Sequence, residues 1–417
     1  LLRSPNERVQ EQAAVAIRNL SVEPANEIKI MEEGGIPPLL ALLRYNSESF
    51  QRQGTITLRN LSVHDENKIK IVQEGGIPLL VSLLRSPDKL IQQHSCGILR
   101  NLSVHADNCT RIIQAGGLLA LIALMRSPDP IIQEEALVTL RNISANPGGR
   151  QDVVREGGLP PLIALLWSFN EDVQEHAAGT LANLSVNADN AEKIVEEGGM
   201  PLLIGLLRSP NERVQEQAAV AIRNLSVEPA NEIKIMEEGG IPPLLALLRY
   251  NSESFQRQGT ITLRNLSVHD ENKIKIVQEG GIPLLVSLLR SPDKLIQQHS
   301  CGILRNLSVH ADNCTRIIQA GGLLALIALM RSPDPIIQEE ALVTLRNISA
   351  NPGGRQDVVR EGGLPPLIAL LWSFNEDVQE HAAGTLANLS VNADNAEKIV
   401  EEGGMPLLIG LLRSPNE

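Results

Sequence analysis

The chain has 417 residues, 43% hydrophobic and 21% charged, which is ample apolar material for an ordered core. Its 49 acidic against 37 basic residues leave a net charge of -12, and only two Trp, two Tyr and four Phe are present. That balance excludes a general nucleic-acid binder, which needs basic patches to displace counterions and aromatic platforms to stack bases. No run of about 18 apolar residues occurs, so no membrane-spanning or membrane-inserted helix is expected. The N-terminus begins without Met and in mid-pattern, with no recognisable signal peptide. Cys96, Cys109, Cys301 and Cys314 form no CxxC pair. Free, partly buried thiols in a reducing compartment are expected, which points to the cytoplasm and leaves the nucleus open.

In chain order, the turn Ser4-Pro5-Asn6 starts a helix running roughly from Glu7 to Val22. Val9, Ala13, Ala16, Ile17 and Leu20 fall on one face of it. A short helix from Asn26 to Glu33 follows, and Gly34-Gly35 stops it in the manner of a left-handed cap. Ile36-Pro37-Pro38 opens a further helix containing LLALL, Pro being tolerated in a first turn. Ser86-Pro87-Asp88 and Ser127-Pro128-Asp129 then mark later starts of the long helix. Gly-Gly pairs begin at Gly34, Gly75, Gly116, Gly157 and Gly198, a constant step of 41 residues. The string that opens at Leu1 returns at Leu206, and the two copies agree at every compared residue. The chain therefore divides into five repeats over 1–205, an identical five over 206–410, and the start of a further repeat at 411–417. Five repeats that differ among themselves but not between copies indicate a duplication that is recent or engineered.

No segment alternates with period two, so the fold is read as all-α. The column Ala13, Gly54, Ser95, Ala136, Ala177 holds only small residues, which would let neighbouring helices approach closely. A 41-residue unit of three helices cannot bury its apolar face alone. Stacking unit on unit gives a continuous core, hence an α-solenoid.

The segments NKIKIVQEGGIPLLVSLLRSPD and LRNLS resemble the armadillo repeat family along the whole chain. The RNLS phrasing is closer to the β-catenin, plakophilin and plant U-box type than to importin-α. The resemblance implies a right-handed superhelix of three-helix repeats and a non-enzymatic protein-interaction scaffold without cofactor. It also implies a concave groove lined by the third helices. Near the end of each, an Asn would bind the main chain of an extended peptide: Asn19, Asn60, Asn101, Asn142 and Asn183, then Asn224, Asn265, Asn306, Asn347 and Asn388. Importin-like arrays carry Trp four residues before that Asn. Here Val15, Ile56, Gly97, Val138 and Gly179 stand there, so the reading as a receptor for nuclear localisation signals loses its support.

The residues themselves agree with a ladder. Asn19 lies about 100° from the middle of the apolar stripe, with Arg8, Gln12 and Val15 within about 40° of the same line. A carboxamide offers a donor and an acceptor, so it can pair with a peptide bond whatever side chains follow. The alternative is that each Asn caps its own helix. Arg18, Arg59, Arg100 and Arg141 precede the Asn, as do Arg223, Arg264, Arg305 and Arg346, with Ala182 in the fifth repeat. They could attract acidic ligand side chains or pair with Glu on the next repeat.

Other signals are weaker. Each Asn-Leu-Ser or Asn-Ile-Ser is formally a glycosylation sequon, but on a helix end and without a signal peptide it is not expected to be used. His64, His94, His105 and His176 form no metal-ligand pattern, and no GxSxG, Walker loop or GxGxxG occurs. His94 and His176 stand seven residues before Asn101 and Asn183, where they face either the groove or plain solvent. Trp167 and Phe169 in WSFNED, with Tyr45, are read as packing over the solenoid edge, a binding hot spot being the alternative. Phe50 shares the core column of Val9, Ile91, Ile132 and Val173. One groove position reads Gln12, Gln53, His94, Glu135, His176, so the duplication predicts two equivalent sites. A second function class is structural: ends without polar caps could stack end to end into a filament.

Overall fold

The computed structural model describes residues 2–413. Among them are thirty α-helices and no strand. In the first copy they run α1 (Glu7–Leu20), α2 (Pro24–Glu32), α3 (Ile36–Leu42), α4 (Glu48–Leu61), α5 (Asp65–Gln73), α6 (Gly76–Leu83), α7 (Lys89–Leu102), α8 (Ala106–Gln114), α9 (Gly117–Leu124), α10 (Pro130–Ser144), α11 (Pro147–Arg155), α12 (Leu159–Leu165), α13 (Glu171–Leu184), α14 (Ala188–Glu196) and α15 (Gly199–Leu206). Helices α16 (Glu212–Leu225) to α30 (Gly404–Leu411) repeat the series. The architecture is an all-α solenoid of three-helix repeats. It divides into two compact units, Leu1–Asn224 and Leu225–Glu417, each built as described below.

Local chemistry sets the boundaries. Asp88 Oδ1 accepts from the amides of Leu90 (2.9 Å) and Ile91 (3.0 Å) and so starts α7. At the end of α2, Gly34 takes φ 75° and the Gly35 amide donates to the Ile30 carbonyl at 2.8 Å. That is the left-handed stop expected of the Gly-Gly pair, and the first glycine of each pair adopts it. Helix α2 starts at Pro24, two residues before the predicted Asn26, because Pro fits the first turn and leaves Asn26 Nδ2 to donate to the Leu20 carbonyl (3.0 Å). The buried Asn67 ties α5 to the end of α4 in the same way (2.8 Å to the Leu61 carbonyl).

The long third helices α1, α4, α7, α10 and α13 pack successively on one another, with the shorter pairs behind them. The small-residue column is where backbones approach: Ser95, Ala136 and Ala177 are fully buried, and a Cβ at Gly54 would lie 3.2 Å from the Leu39 carbonyl oxygen. Phe50, Ile91, Ile132 and Val173 are buried as expected, with Tyr45 against Phe50 at a ring separation of 5.0 Å. Val9 departs from its column and is exposed, because no repeat precedes α1 among the described residues. Trp167 and Phe169 also depart: both protrude from the α12–α13 turn into solvent instead of covering the edge. The four cysteines are free and buried, and burial raises the thiol pKa, that of Cys109 to about 11.

Candidate functional site: the face of the third helices

Each third helix ends in Asn-Leu-Ser or a close variant. The Ser forms the last turn: Ser21 Oγ donates to the Arg18 carbonyl at 2.7 Å, and Ser62 Oγ to that of Arg59 at 2.8 Å. The remaining lone pairs of that hydroxyl accept from the Asn of the following repeat. Asn60 Nδ2 donates to Ser21 Oγ (3.0 Å), Asn101 to Ser62 (2.8 Å), Asn142 to Ser103 (2.9 Å) and Asn183 to Ser144 (3.1 Å). Asn224 continues the series with Ser185 (3.2 Å). In the second unit Asn265, Asn306, Asn347 and Asn388 donate to Ser226, Ser267, Ser308 and Ser349 at 2.9–3.2 Å.

These side chains therefore do not cap their own helices. Each carboxamide is clamped through Nδ2 to the repeat before it, and Asn183, Asn224 and Asn388 donate there to a backbone carbonyl as well, that of Arg141, Ala182 and Arg346 at 3.0–3.2 Å. The carboxamide Oδ1 has no hydrogen-bond partner among the described residues at Asn60, Asn101, Asn142 and Asn183, all of them half-buried. At Asn60, Asn101 and Asn142 an amide so held presents an acceptor and a second N–H in fixed directions, the pair a peptide unit needs, whereas Asn183 presents the acceptor. Asn19 and Asn224 differ, since their Oδ1 accepts from the preceding Arg18 and Arg223 at 2.9 Å. Asn19 is exposed and has no Ser in front of it.

Most of the arginines are already engaged. Arg59 lies across Gly97 of the next repeat, where a Cβ would collide with its guanidinium, and reaches Glu135 one repeat further on. Arg100 Nη1 meets the other oxygen of the same carboxylate at 3.0 Å. Glu135 is buried, so two cations from two repeats supply what water would otherwise provide. Arg141 lies across Gly179 and meets His176 Nδ1 (3.0 Å) and Glu175 (3.4 Å). In the second unit Arg264 and Arg305 share Glu340, and Arg346 meets Glu380 (3.2 Å) and His381 (3.0 Å). The positions where importin-like arrays carry Trp are thus glycine here in two repeats because an arginine passes over them.

His94 and His176 are half-buried on this face rather than plain surface. Burial, then the neighbouring Arg59, lowers the His94 pKa; burial and Arg141 do the same at His176. The His94 Nδ1 and Gln53 Oε1 atoms are buried without partners. Among the described residues no group of His, Cys, Asp and Glu could hold a metal ion, and no helix is long and apolar enough to cross a membrane.

Missed from sequence were the serines Ser21, Ser62, Ser103, Ser144 and Ser185, the reach of Arg59 over two repeats to Glu135, and the crossed glycines Gly97 and Gly179, whereas the pairing of Arg100 with a Glu of the next repeat was one of the two expected alternatives. Signals did exist for two of them. A Ser two residues after every Asn resembled a sequon, and mid-helix glycine is costly by roughly 0.5–1 kcal/mol against alanine and needs a reason.

The model of the Armadillo/beta-catenin-like repeat matches residues 1–22, 64–104, 105–145, 146–186, 187–227, 269–309, 310–350 and 351–391. The chain is similar to an engineered protein solved by crystallography, at 31% identity and a TM-score of 0.81 over 93% of this chain and 97% of that one. No curated protein matches at a significant level.

Proposed function

Because the chain belongs to the Armadillo/beta-catenin-like repeat family, we propose that it is a protein-interaction scaffold whose third helices hold an extended partner segment by its main chain. One observation carries this reading: a carboxamide recurs on each repeat's third helix, and on four of the five in the first copy it is clamped through Nδ2 to the repeat before it with its acceptor unengaged. Clamping lowers the entropic cost of ordering the side chain when a ligand arrives. The rungs at Asn60, Asn101 and Asn142 then offer a free acceptor and a second donor to a peptide unit and the rung at Asn183 a free acceptor, adding about 0.5–1.5 kcal/mol net per hydrogen bond.

Ligand side chains add selectivity around that ladder. An acidic residue would have to share Arg59 and Arg100 with Glu135, or Arg141 with Glu175, so acidic ligands gain less than a free arginine row would offer. Solvent-exposed recognition is best supplied by Gln12 and by the half-buried His94 and His176. No catalytic constellation is present among the described residues, and the family generally serves non-enzymatic binding.

A capture experiment tests the ladder. One variant carries Asn101, Asn142, Asn306 and Asn347 all changed to Ala. The other changes Ser62, Ser103, Ser267 and Ser308 to Ala, which removes the clamp and keeps the carboxamide. Both should lose similar stability, but the Asn variant should lose most capture of partner proteins while the Ser variant keeps part of it. Equal capture by both variants and the parent rejects the reading.

A further inference from the structure

On the side of the shorter helices, one hollow recurs at the same place in both copies. In the first it lies where α5 and α6 meet α8 and holds about 330 Å³. Val72, Ile77 and Pro78 line it together with Arg111, Gln114 and Ala115. In the second copy the matching residues, among them Ile282, Arg316, Gln319 and Ala320, line a hollow of about 320 Å³. Its apolar floor is fixed, since Ile77 is buried, while Arg111 and Gln114 are exposed beside it. Gly75, at φ 80°, puts no side chain into the opening.

The cation at this hollow is uncompensated for a reason visible in the repeats. The residue before the Gly-Gly pair is Glu33, Glu74, Glu156 and Glu197 in the other four repeats of the first copy, but Ala115 here. At two of those positions the Glu meets a basic residue of the same segment: Lys70 with Glu74 at 2.8 Å, and Arg155 with Glu156 at 3.4 Å. Arg155 also meets Asp152 at 2.6 Å. Arg111 makes no ion pair and no side-chain hydrogen bond among the described residues, Asp107 one turn earlier on α8 included. Arg316 beside Ala320 repeats the arrangement, while Lys275 meets Glu279 at 2.8 Å one repeat earlier.

We propose that this hollow captures the C-terminal residue of a partner chain, its aliphatic side chain on Val72, Ile77 and Pro78 and its carboxylate on Arg111 and Gln114. The charge calls for an anion, and a guanidinium binds a carboxylate through two parallel N–H donors. Gln114 stands three residues after Arg111, hence on the same helix face, and its amide adds a further donor. Size then selects a chain end. About 330 Å³ is near the lower limit of ligand sites and suits one residue. A terminal residue carries side chain and carboxylate on one Cα. In an extended segment an acidic side chain and its aliphatic neighbour point to opposite sides, so only one of them could enter. The site lies on the first and second helices of the repeat and does not rest on the ladder.

Fluorescence anisotropy on the full chain tests it with a labelled probe, fluorescein-Gly-Ser-Gly-Ser-Ala-Leu with a free carboxylate. Saturable binding is expected, and amidating the terminus should weaken it at least about tenfold. Changing Arg111→Ala and Arg316→Ala together, one for each copy of the site, should have a similar effect. Ala115→Glu with Ala320→Glu is the sharper variant. It keeps both arginines and restores the carboxylate found in the other repeats, so it should weaken the probe about tenfold while the melting temperature holds. An amidated probe with Glu in place of Ala carries an internal acid beside Leu and should bind as poorly as the plain amide. Equal affinity for free and amidated ends, full affinity in either variant, strong binding of the internal-acid probe, or no saturable binding up to about 1 mM overturns the proposal.

Discussion

Helices α1 and α16 carry the same fourteen residues, ERVQEQAAVAIRNL, yet one is largely open and the other enclosed. Val9 and Leu20 are 39% and 52% exposed; their counterparts Val214 and Leu225 are both at 0%. What stays constant is local: Arg18 bonds Asn19, and Arg223 bonds Asn224, each at 2.9 Å. What changes is the contact with a preceding repeat, since Asn224 has Ser185 to bond and Asn19 has no such serine. In a solenoid, burial belongs to the pair of repeats rather than to the helix, which is why stability is close to a sum of nearest-neighbour terms.

The largest test of that contrast places one bulky side chain at equivalent positions. Ala218→Trp, at a site with no exposure, should destabilise by about 1–3 kcal/mol or more in a urea melt, as overpacking does. Ala13→Trp, opening on a hollow beside α1, should change the melt little. Equal losses would mean that the open face of α1 is not open.

A smaller effect is expected from Glu135→Gln. The amide cannot neutralise Arg59 and Arg100, and hydrogen bonds to charged groups are worth about 1.5–3 kcal/mol, discounted here because both guanidiniums are about one-third exposed. A loss on the order of 1 kcal/mol, with a weaker salt dependence of stability, should follow. An unchanged melting curve would reduce that cluster to solvated surface.

Asn60→Ala should cost about 0.5–1.5 kcal/mol by removing its bond to Ser21, whereas Asn19→Ala should cost almost nothing. The difference between the two melts isolates the inter-repeat bond from the helix-end position. The smallest expected effect concerns acidity. Burial lowers the pKa of His94 and His299, beside Arg59, Glu135 and Asp88 and beside Arg264, Glu340 and Asp293. The unfolded chain therefore takes up protons first as pH falls below about 6.5, and stability declines from there downward. Replacing both histidines with Gln should flatten the melting temperature between about pH 6.5 and 5.

The repeat period, the Gly-Gly stops and the small-residue column were legible because each is a local pattern with a local cause. The carboxamide row was legible too, as a position on a helix face. Its anchoring was not, since Asn101 and Ser62 are brought together only by the stacking of repeats. Arg59 is harder still, reaching over a glycine to a carboxylate two repeats away. Trp167 and Phe169 were expected to pack on the edge, but nothing in the short α12–α13 turn offers them a surface.

The central claim is that a partner is held by its main chain. A peptide selected on this chain from a random library, remade with N-methyl groups at alternate backbone positions, tests it by calorimetry. N-methylation removes the donors that the free Asn oxygens would accept and leaves every side chain in place. Main-chain recognition predicts that one of the two alternating N-methyl series loses at least about tenfold in affinity, the equivalent of 1.4 kcal/mol. Full affinity in both series, with losses confined to side-chain substitutions, would contradict it.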